Sequence, residues 1–425
     1  MKQYAKMTLE ERKAEYSSLS ARYEGLKGRG ITLNIARGKP GKEQLDLVSD
    51  MFRLMQKPED WFSDGIDVRN YGETAGLPAA RRLFAEILGC RAEEVFVGGS
   101  ASLQLMYDVI SKACTHGLLH SPRPWNKEAV VKWLCPSPGY DRHFKITESF
   151  GFELLTIPMT EEGPDMDAVE AAVKDPAVKG IWCVPKFSNP DGVIYSLETV
   201  RRMAALKPAA PDFTIMWDNT YSLHEFEGEH EEFPDMLSVC REMGNPDMVF
   251  EFASTSKITF PGAGISCFAC STDNLARMEE LISVQLICFD KVNQQRHVIY
   301  LQDKAHTLEL MKKHAAIMRP KFHAVLDALE REIEPLGIAS WRRPKGGYFV
   351  SLDAMPGTAK RTLALCREAG LTMTGAGAAF PYGRDPQDSN IRIAPSFPSA
   401  EELEQAMEVF CVSLRMAALE RLDVV

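Results

Sequence analysis

Five times between residues 95 and 257, a short apolar run gives way to a cluster of small and polar residues. Val95-Phe96-Val97 leads into Gly98-Gly99-Ser100-Ala101-Ser102, and Val130 to Leu134 into Cys135-Pro136-Ser137-Pro138-Gly139-Tyr140-Asp141-Arg142-His143. Ile181 to Val184 leads into Pro185-Lys186-Phe187-Ser188-Asn189-Pro190-Asp191-Gly192. Phe213 to Trp217 ends in Asp218-Asn219-Thr220-Tyr221, and Met248 to Phe252 in Ala253-Ser254-Thr255-Ser256-Lys257. Strand patterns alternate with helical ones to about residue 272, which predicts an α/β architecture with a parallel, doubly wound sheet. In such sheets the ligand site lies outside the carboxyl ends of the strands, and all five clusters fall there.

The last two clusters carry the most specific chemistry. A lysine and an aspartate at the ends of separate strands, with Tyr221 three residues past Asp218, suit pyridoxal 5'-phosphate. The Lys257 amine can condense with the cofactor's aldehyde, and the Asp218 carboxylate can keep the pyridine nitrogen protonated so that the ring accepts electrons. The Tyr221 hydroxyl can reach the ring's phenolic oxygen. Taken alone, Lys257 reads equally as one of many surface lysines.

The other clusters have two readings each. Gly99, Ser100, Ala101 and Ser102 precede a helical pattern from Leu103 to Ala113; they form either an ordinary N-capped turn or a phosphate cradle at a helix N-terminus. Tyr140 is a core tyrosine or a ring that stacks on a cofactor. His143 is a solvated histidine or a partner of Asp218. Asn189-Pro190 is a turn or places an amide against the phenolic oxygen. Arg392, in Asn390-Ile391-Arg392, is a surface arginine paired to Asp388 or a fork that grips a carboxylate.

Taken together, these pieces resemble a fold-type I, class I pyridoxal-phosphate aminotransferase over nearly the whole chain. Ile35-Ala36-Arg37-Gly38-Lys39-Pro40, Pro138 to His143 and Ser256-Lys257-Ile258-Thr259-Phe260 are similar to the bacterial subgroup Ic aspartate aminotransferases. The resemblance implies a large cofactor domain over 50–320 and a small α+β domain from 1–49 and 321–425. It implies that Lys257, Asp218 and Tyr221 are catalytic. It implies that Gly99 to Ser102, Tyr140, His143, Asn189 and Ser254 hold the cofactor, and that Arg392, Gly38, Asn189 and Lys39 meet the substrate. Tyr71 would reach the cofactor phosphate of a neighbouring subunit, so a homodimer with shared active sites is expected. In one respect the chain departs from the family. From Lys257 to Ile265 it carries no arginine, where class I members usually place one on the phosphate.

The implied reaction moves an amino group between an amino acid, with aspartate and glutamate favoured, and a 2-oxo acid. A dicarboxylic substrate needs a second cation; Arg37, Lys39, Arg142, Lys291 and Arg296 are candidates, with Lys39 and Arg37 preferred because they flank Gly38. Each is equally a solvated charge. Rival readings are an alanine or aromatic aminotransferase or a β-lyase on the same scaffold, a ligand-sensing regulator, and a non-catalytic scaffold. The segment before Ile31 is short for a DNA-binding domain, and the presence of Lys257, Asp218, Tyr221, Asn189 and Arg392 together disfavours a scaffold.

Bulk properties fit this picture. Hydrophobic residues make up 45% and charged residues 25% of 425 residues, as in an ordinary globular chain. A net charge of −10 argues against nucleic acid or anionic membrane as a partner. No apolar stretch reaches the ~20 residues of a membrane span, and the start lacks a signal-peptide core. Ten cysteines scattered through apolar surroundings suit reduced thiols and a cytoplasmic location. Cys267-Phe268-Ala269-Cys270 lacks a second pair, so core packing is expected there, and no metal.

Overall fold

The computed structural model describes residues 2–422. Its centre is an eight-stranded sheet. Reading across it, the strands are Val95–Val97, Ser266–Ala269, Val249–Ser254, Thr214–Asp218, Val178–Cys183, Lys132–Ser137, Glu153–Thr160 and Gly163–Pro164. The five strands from Val249–Ser254 to Glu153–Thr160 run parallel. Ser266–Ala269 is antiparallel to both its neighbours, and Gly163–Pro164 is antiparallel at the edge. The sheet is thus mostly parallel, as expected, with Ser266–Ala269 reversed inside it. The connection from Ser254 to Ser266 is too short for a crossover helix, and a short connection returns the chain antiparallel.

Alternation along the strands divides the core. Val95, Val97, Trp217, Ala253 and Cys267 pack on one face. Phe96, Met216, Phe250, Phe252 and Phe268 pack on the other. Cys267 and Cys270 fall in these two different clusters and are free thiols, so the C-x-x-C match is a packing feature. Among the described residues no group of three His, Cys, Asp or Glu side chains could hold a metal ion.

A third core forms away from this sheet. The Leu9–Gly28 helix starts at Thr8 in a capping box with Glu11 and buries Leu19, Tyr23 and Leu26. The Ala400–Arg421 helix starts the same way, with Ser399 and Glu402. They share a cluster with a three-stranded antiparallel sheet, Ala339–Trp341, Val350–Ala354 and Asn390–Ile393. Leu33–Asn34 pairs in parallel with Leu371–Thr372, so both ends of the chain enter this core. The 29-residue Lys304–Glu332 helix joins the cores: Leu310 and Met311 pack with Leu83 and Ile87, whereas Met318 to Leu329 pack with the third core.

Two strands lie off their predicted positions. The strand expected over Val130–Leu134 is Lys132–Ser137, so Cys135 and Ser137 are ladder residues and not loop. The pattern Gly347-Tyr348-Phe349-Val350-Ser351-Leu352 predicts a strand from Gly347, but the strand starts at Val350. Gly346 and Gly347 instead press on Phe187, where an added Cβ would sit 2.5 Å from the ring at Gly346 and 2.9 Å from the Phe187 Cβ at Gly347. That contact leaves Tyr348 and Phe349 to face the site.

Candidate active site

The carboxyl ends of the parallel strands open into one cleft of about 390 Å³. Lys257 follows the Val249–Ser254 strand in a tight turn closed by bonds from the Ile258 and Thr259 amides to the Thr255 carbonyl. Its Nζ lies 5.2 Å from the centre of the Tyr221 ring and 5.5 Å from that of Tyr348. Burial pushes the Lys257 amine below the usual lysine range, an effect that the Asp218 carboxylate partly offsets. A larger share of the amine is therefore neutral, and so nucleophilic, than on a surface lysine.

Asp218 closes the adjacent strand and is buried. His143 Nε2 lies 3.0 Å from Asp218 Oδ2, and the Thr220 hydroxyl and amide donate to Oδ1. The imidazole itself is stacked on Trp182, with ring centres 4.6 Å apart, and meets Tyr140 edge-on at 4.8 Å. His143 sits behind Asp218 rather than in the cleft, whereas the Tyr140 ring lines it. Burial, with the Asp218 and Asp141 carboxylates nearby, pushes the Tyr140 phenol up to about 12. Burial also raises the Tyr221 phenol well above its ordinary value. Both hydroxyls thus stay protonated and can donate.

Ser102 opens the Ser102–Thr115 helix, and Ala101 at the N-cap has no side-chain capping bond. The first-turn amides are therefore free of capping side chains, a ready anion cradle. Ala101, Ser102, Ser254 and Ser256 line the cleft beside it. Gly99 and Ser100 do not line it; their carbonyls accept from the Ser266 and Ser256 hydroxyls at 2.7 and 3.3 Å and brace the loop. In the arginine-free stretch after Lys257 the chain turns at Gly264. A Cβ there would meet Thr255 Oγ1 at 2.9 Å and the Phe260 carbonyl at 3.0 Å, so no side chain fits without a backbone shift.

Arg392 lies at the opposite side of the cleft, 8% exposed, in the Asn390–Ile393 strand. Its Nη1 donates to Asp141 Oδ1 at 2.9 Å and to Asn189 Oδ1 at 3.2 Å, and Nη2 donates to Thr374 Oγ1 at 3.3 Å. The Phe349 ring lies beneath the guanidinium at 4.9 Å. The pairing with Asp388 that sequence offered as an alternative is not the one formed. Gly38 crosses over Phe349 so closely that a Cβ would stand 2.6 Å from the ring. Arg37, Lys39 and Arg142 line the mouth, with Lys39 Nζ 3.8 Å from the centre of the Phe397 ring.

Besides His143, Gly99 and Ser100, three more predicted residues lie outside the cleft. Lys291 is buried and donates to the Tyr71 carbonyl at 3.1 Å, and Arg296 bonds Asn293 Oδ1 at 2.8 Å. The Tyr71 side chain is 77% exposed. Sequence reading missed Asp141, Thr220, Tyr348, Phe349 and Thr374. Of these, Asp141 and Thr220 sat inside motifs already singled out; nothing marked the others, because remote segments bring them in.

Nearly the whole chain, and not only this site, matches known proteins. A model of the aspartate amino-transferase family matches residues 7–424. The chain belongs to the aspartate amino-transferase family. A putative aminotransferase of Mycolicibacterium smegmatis is 46% identical over 412 residues, 96% of each chain. An aspartate aminotransferase of Corynebacterium glutamicum is 44% identical over 405 residues, 95% of this chain and 94% of the relative. The crystal structure of an aspartate transaminase from Corynebacterium glutamicum superposes with a TM-score of 0.95 at 44% identity, covering 97% of both chains. The protein is thus an aminotransferase of fold type I, and the regulator and scaffold readings are not favoured.

Proposed function

We propose that the cleft binds pyridoxal 5'-phosphate at Lys257 and transfers an amino group between aspartate or glutamate and a 2-oxo acid, oxaloacetate or 2-oxoglutarate. The observation that carries this reading is the convergence of a desolvated strand-end amine and a buried, hydrogen-bonded carboxylate in one cleft with a buried guanidinium. The donor set fits the cofactor. Asp218, oriented by His143 and Thr220, would hold the proton at the pyridine nitrogen. Tyr221 and Asn189 would donate to the phenolic oxygen, and Tyr140 would cover the ring face. The amides at the start of the Ser102–Thr115 helix, with Ser254 and Ser256, would hold the phosphate without the customary arginine. Bound there, the cofactor supplies the electron sink that the reaction needs.

The chain's own residues supply the rest. Lys257 moves a proton at the substrate Cα. Arg392 fixes the α-carboxylate with its planar fork, and Asn189, which accepts from Nη1, sets the plane of that fork. Arg37, Lys39 or Arg142 would read a distal carboxylate, since these three cations line the mouth.

We infer further that the molecule works as a homodimer in a reducing, cytoplasmic setting. Tyr71 and Ile287 are both exposed, and Thr74, three residues from Tyr71, donates its hydroxyl to the Ile287 carbonyl at 2.9 Å, which supports a covered face there. Ten free cysteines, eight of them buried, support the compartment. The separate cores support a division into 50–320 and 1–49 with 321–425. The reading is tested by adding amino acids singly to the purified holoenzyme and following the cofactor's absorbance. Fast conversion with aspartate and glutamate is expected; fast conversion with alanine or aromatic amino acids alone would favour the other aminotransferases.

A further inference from the structure

Arg392 already carries a carboxylate partner. Asp141 opens the Asp141–Ser149 helix directly after Tyr140, and its Oδ1 accepts from Arg392 Nη1 at 2.9 Å. The arginine side chain is 8% exposed and that of Asp141 29%. The pair is therefore shielded at the guanidinium and open toward the cleft that Asp141 itself lines. The other neighbours of the guanidinium are neutral: the Asn189 amide oxygen, the Thr374 hydroxyl and the Phe349 ring. Asp141 is thus the one acidic group in contact with Arg392 among the described residues.

We propose that Asp141 is a positioning residue, a resident counter-ion that orients Arg392 and that an incoming carboxylate must displace from, or share with, it. The inference rests on the reading of Arg392 as the carboxylate-binding arginine. Physically, Nη1 has two N–H bonds, and they are engaged by Asp141 and Asn189. A second carboxylate approaching the Nη1/Nη2 edge therefore meets both an occupied donor and a like charge. The free guanidinium is kept paired and oriented between turnovers. The cost is weaker binding of every carboxylate, with one carboxylate or two.

The test uses the pyridoxal-loaded enzyme and two inert probes, succinate and propionate, titrated by calorimetry. The proteins are wild type, Asp141→Asn, Arg392→Ala and the double variant. Asp141→Asn keeps the side chain's shape and removes its charge. It is expected to bind both probes about ten-fold more tightly, as is usual when one near like charge is removed. In the Arg392→Ala background the same change is expected to have no effect, a coupling that a general loosening of the fold would not produce. Loss of binding in Arg392→Ala together with unchanged or weaker binding in Asp141→Asn would overturn the inference and leave the reading of Arg392 standing. Undiminished binding in Arg392→Ala would overturn both.

Discussion

His143 Nε2 lies 3.0 Å from Asp218 Oδ2, while the same imidazole stacks on Trp182. Asp218 is therefore held from behind by a ring that cannot swing away, and its other oxygen takes the Thr220 amide and hydroxyl. A carboxylate so fixed is suited to keep one proton on a partner nitrogen. Asp218→Asn should fold and bind the cofactor but turn over poorly. A charged hydrogen bond is worth about 1.5–3 kcal/mol, which corresponds to a loss on the order of ten- to a hundred-fold in rate. Steady-state kinetics checks this; near-normal turnover would show that Asp218 is not the pyridine partner.

Substrate choice separates two kinds of cation. Arg392→Ala should weaken aspartate, glutamate and alanine by similar factors, because all share the α-carboxylate. Lys39→Ala, Arg37→Ala or Arg142→Ala should injure the dicarboxylates selectively, by up to the ~2–5 kcal/mol typical of a lost buried charge partner. Comparing kcat/KM for aspartate and alanine across the series is the measurement. Equal declines in all three mouth variants would remove the basis for a dicarboxylate preference.

Gly38 leaves no room for a methyl group. A Cβ would stand 2.6 Å from Phe349 Cζ and 3.1 Å from Tyr348 Cβ. Phe349 in turn lies beneath Arg392. Gly38→Ala should therefore displace either the mouth segment or the ring under the guanidinium. The expected result is a rise in KM of at least several-fold with a smaller change in stability, read by kinetics and thermal melting together. Unchanged KM would show that the segment adjusts without touching Arg392.

Much of this site was legible in the sequence, for a physical reason. Lys257, Asp218, Tyr140 and Asn189 all follow apolar runs, and a parallel sheet brings such strand ends to one edge. Arg392 was legible only through its motif, since its strand belongs to another core. Phe349 and Thr374 were not legible, because they come from segments whose approach depends on tertiary packing. Gly347 reads as the start of a strand, yet it and Gly346 close on Phe187 and the ladder begins only at Val350. The antiparallel strand Ser266–Ala269 was hidden because its apolar content resembles that of its parallel neighbours; only the brevity of the connection before it reveals the direction.

Acid should act through buried histidines. Burial lowers His314 to about 4 from 6.5. Gln44 Nε2 lies 3.2 Å from its Nδ1, and its Nε2 lies 3.0 Å from the Ile258 carbonyl. The unfolded chain thus takes up a proton between pH 6.5 and about 4 that the folded chain refuses, so this residue's contribution is intact above 6.5 and is lost as pH falls. His314→Gln removes that term. Relative to wild type, the variant should gain up to ~1.4 kcal/mol per pH unit below 6.5. Denaturant unfolding of both proteins at pH 7.5 and 5.5 is the check; an unchanged difference between them would contradict a buried neutral His314.

The central claim is that Lys257, with its amine desolvated between Tyr221 and Tyr348, is the residue that carries pyridoxal phosphate. The most direct measurement is borohydride reduction of the purified, cofactor-loaded protein followed by peptide mapping. The pyridoxyl group is predicted on Lys257 alone, and Lys257→Ala is predicted to yield no labelled peptide while retaining its fold. Label on a different lysine, or undiminished label in Lys257→Ala, would contradict the account.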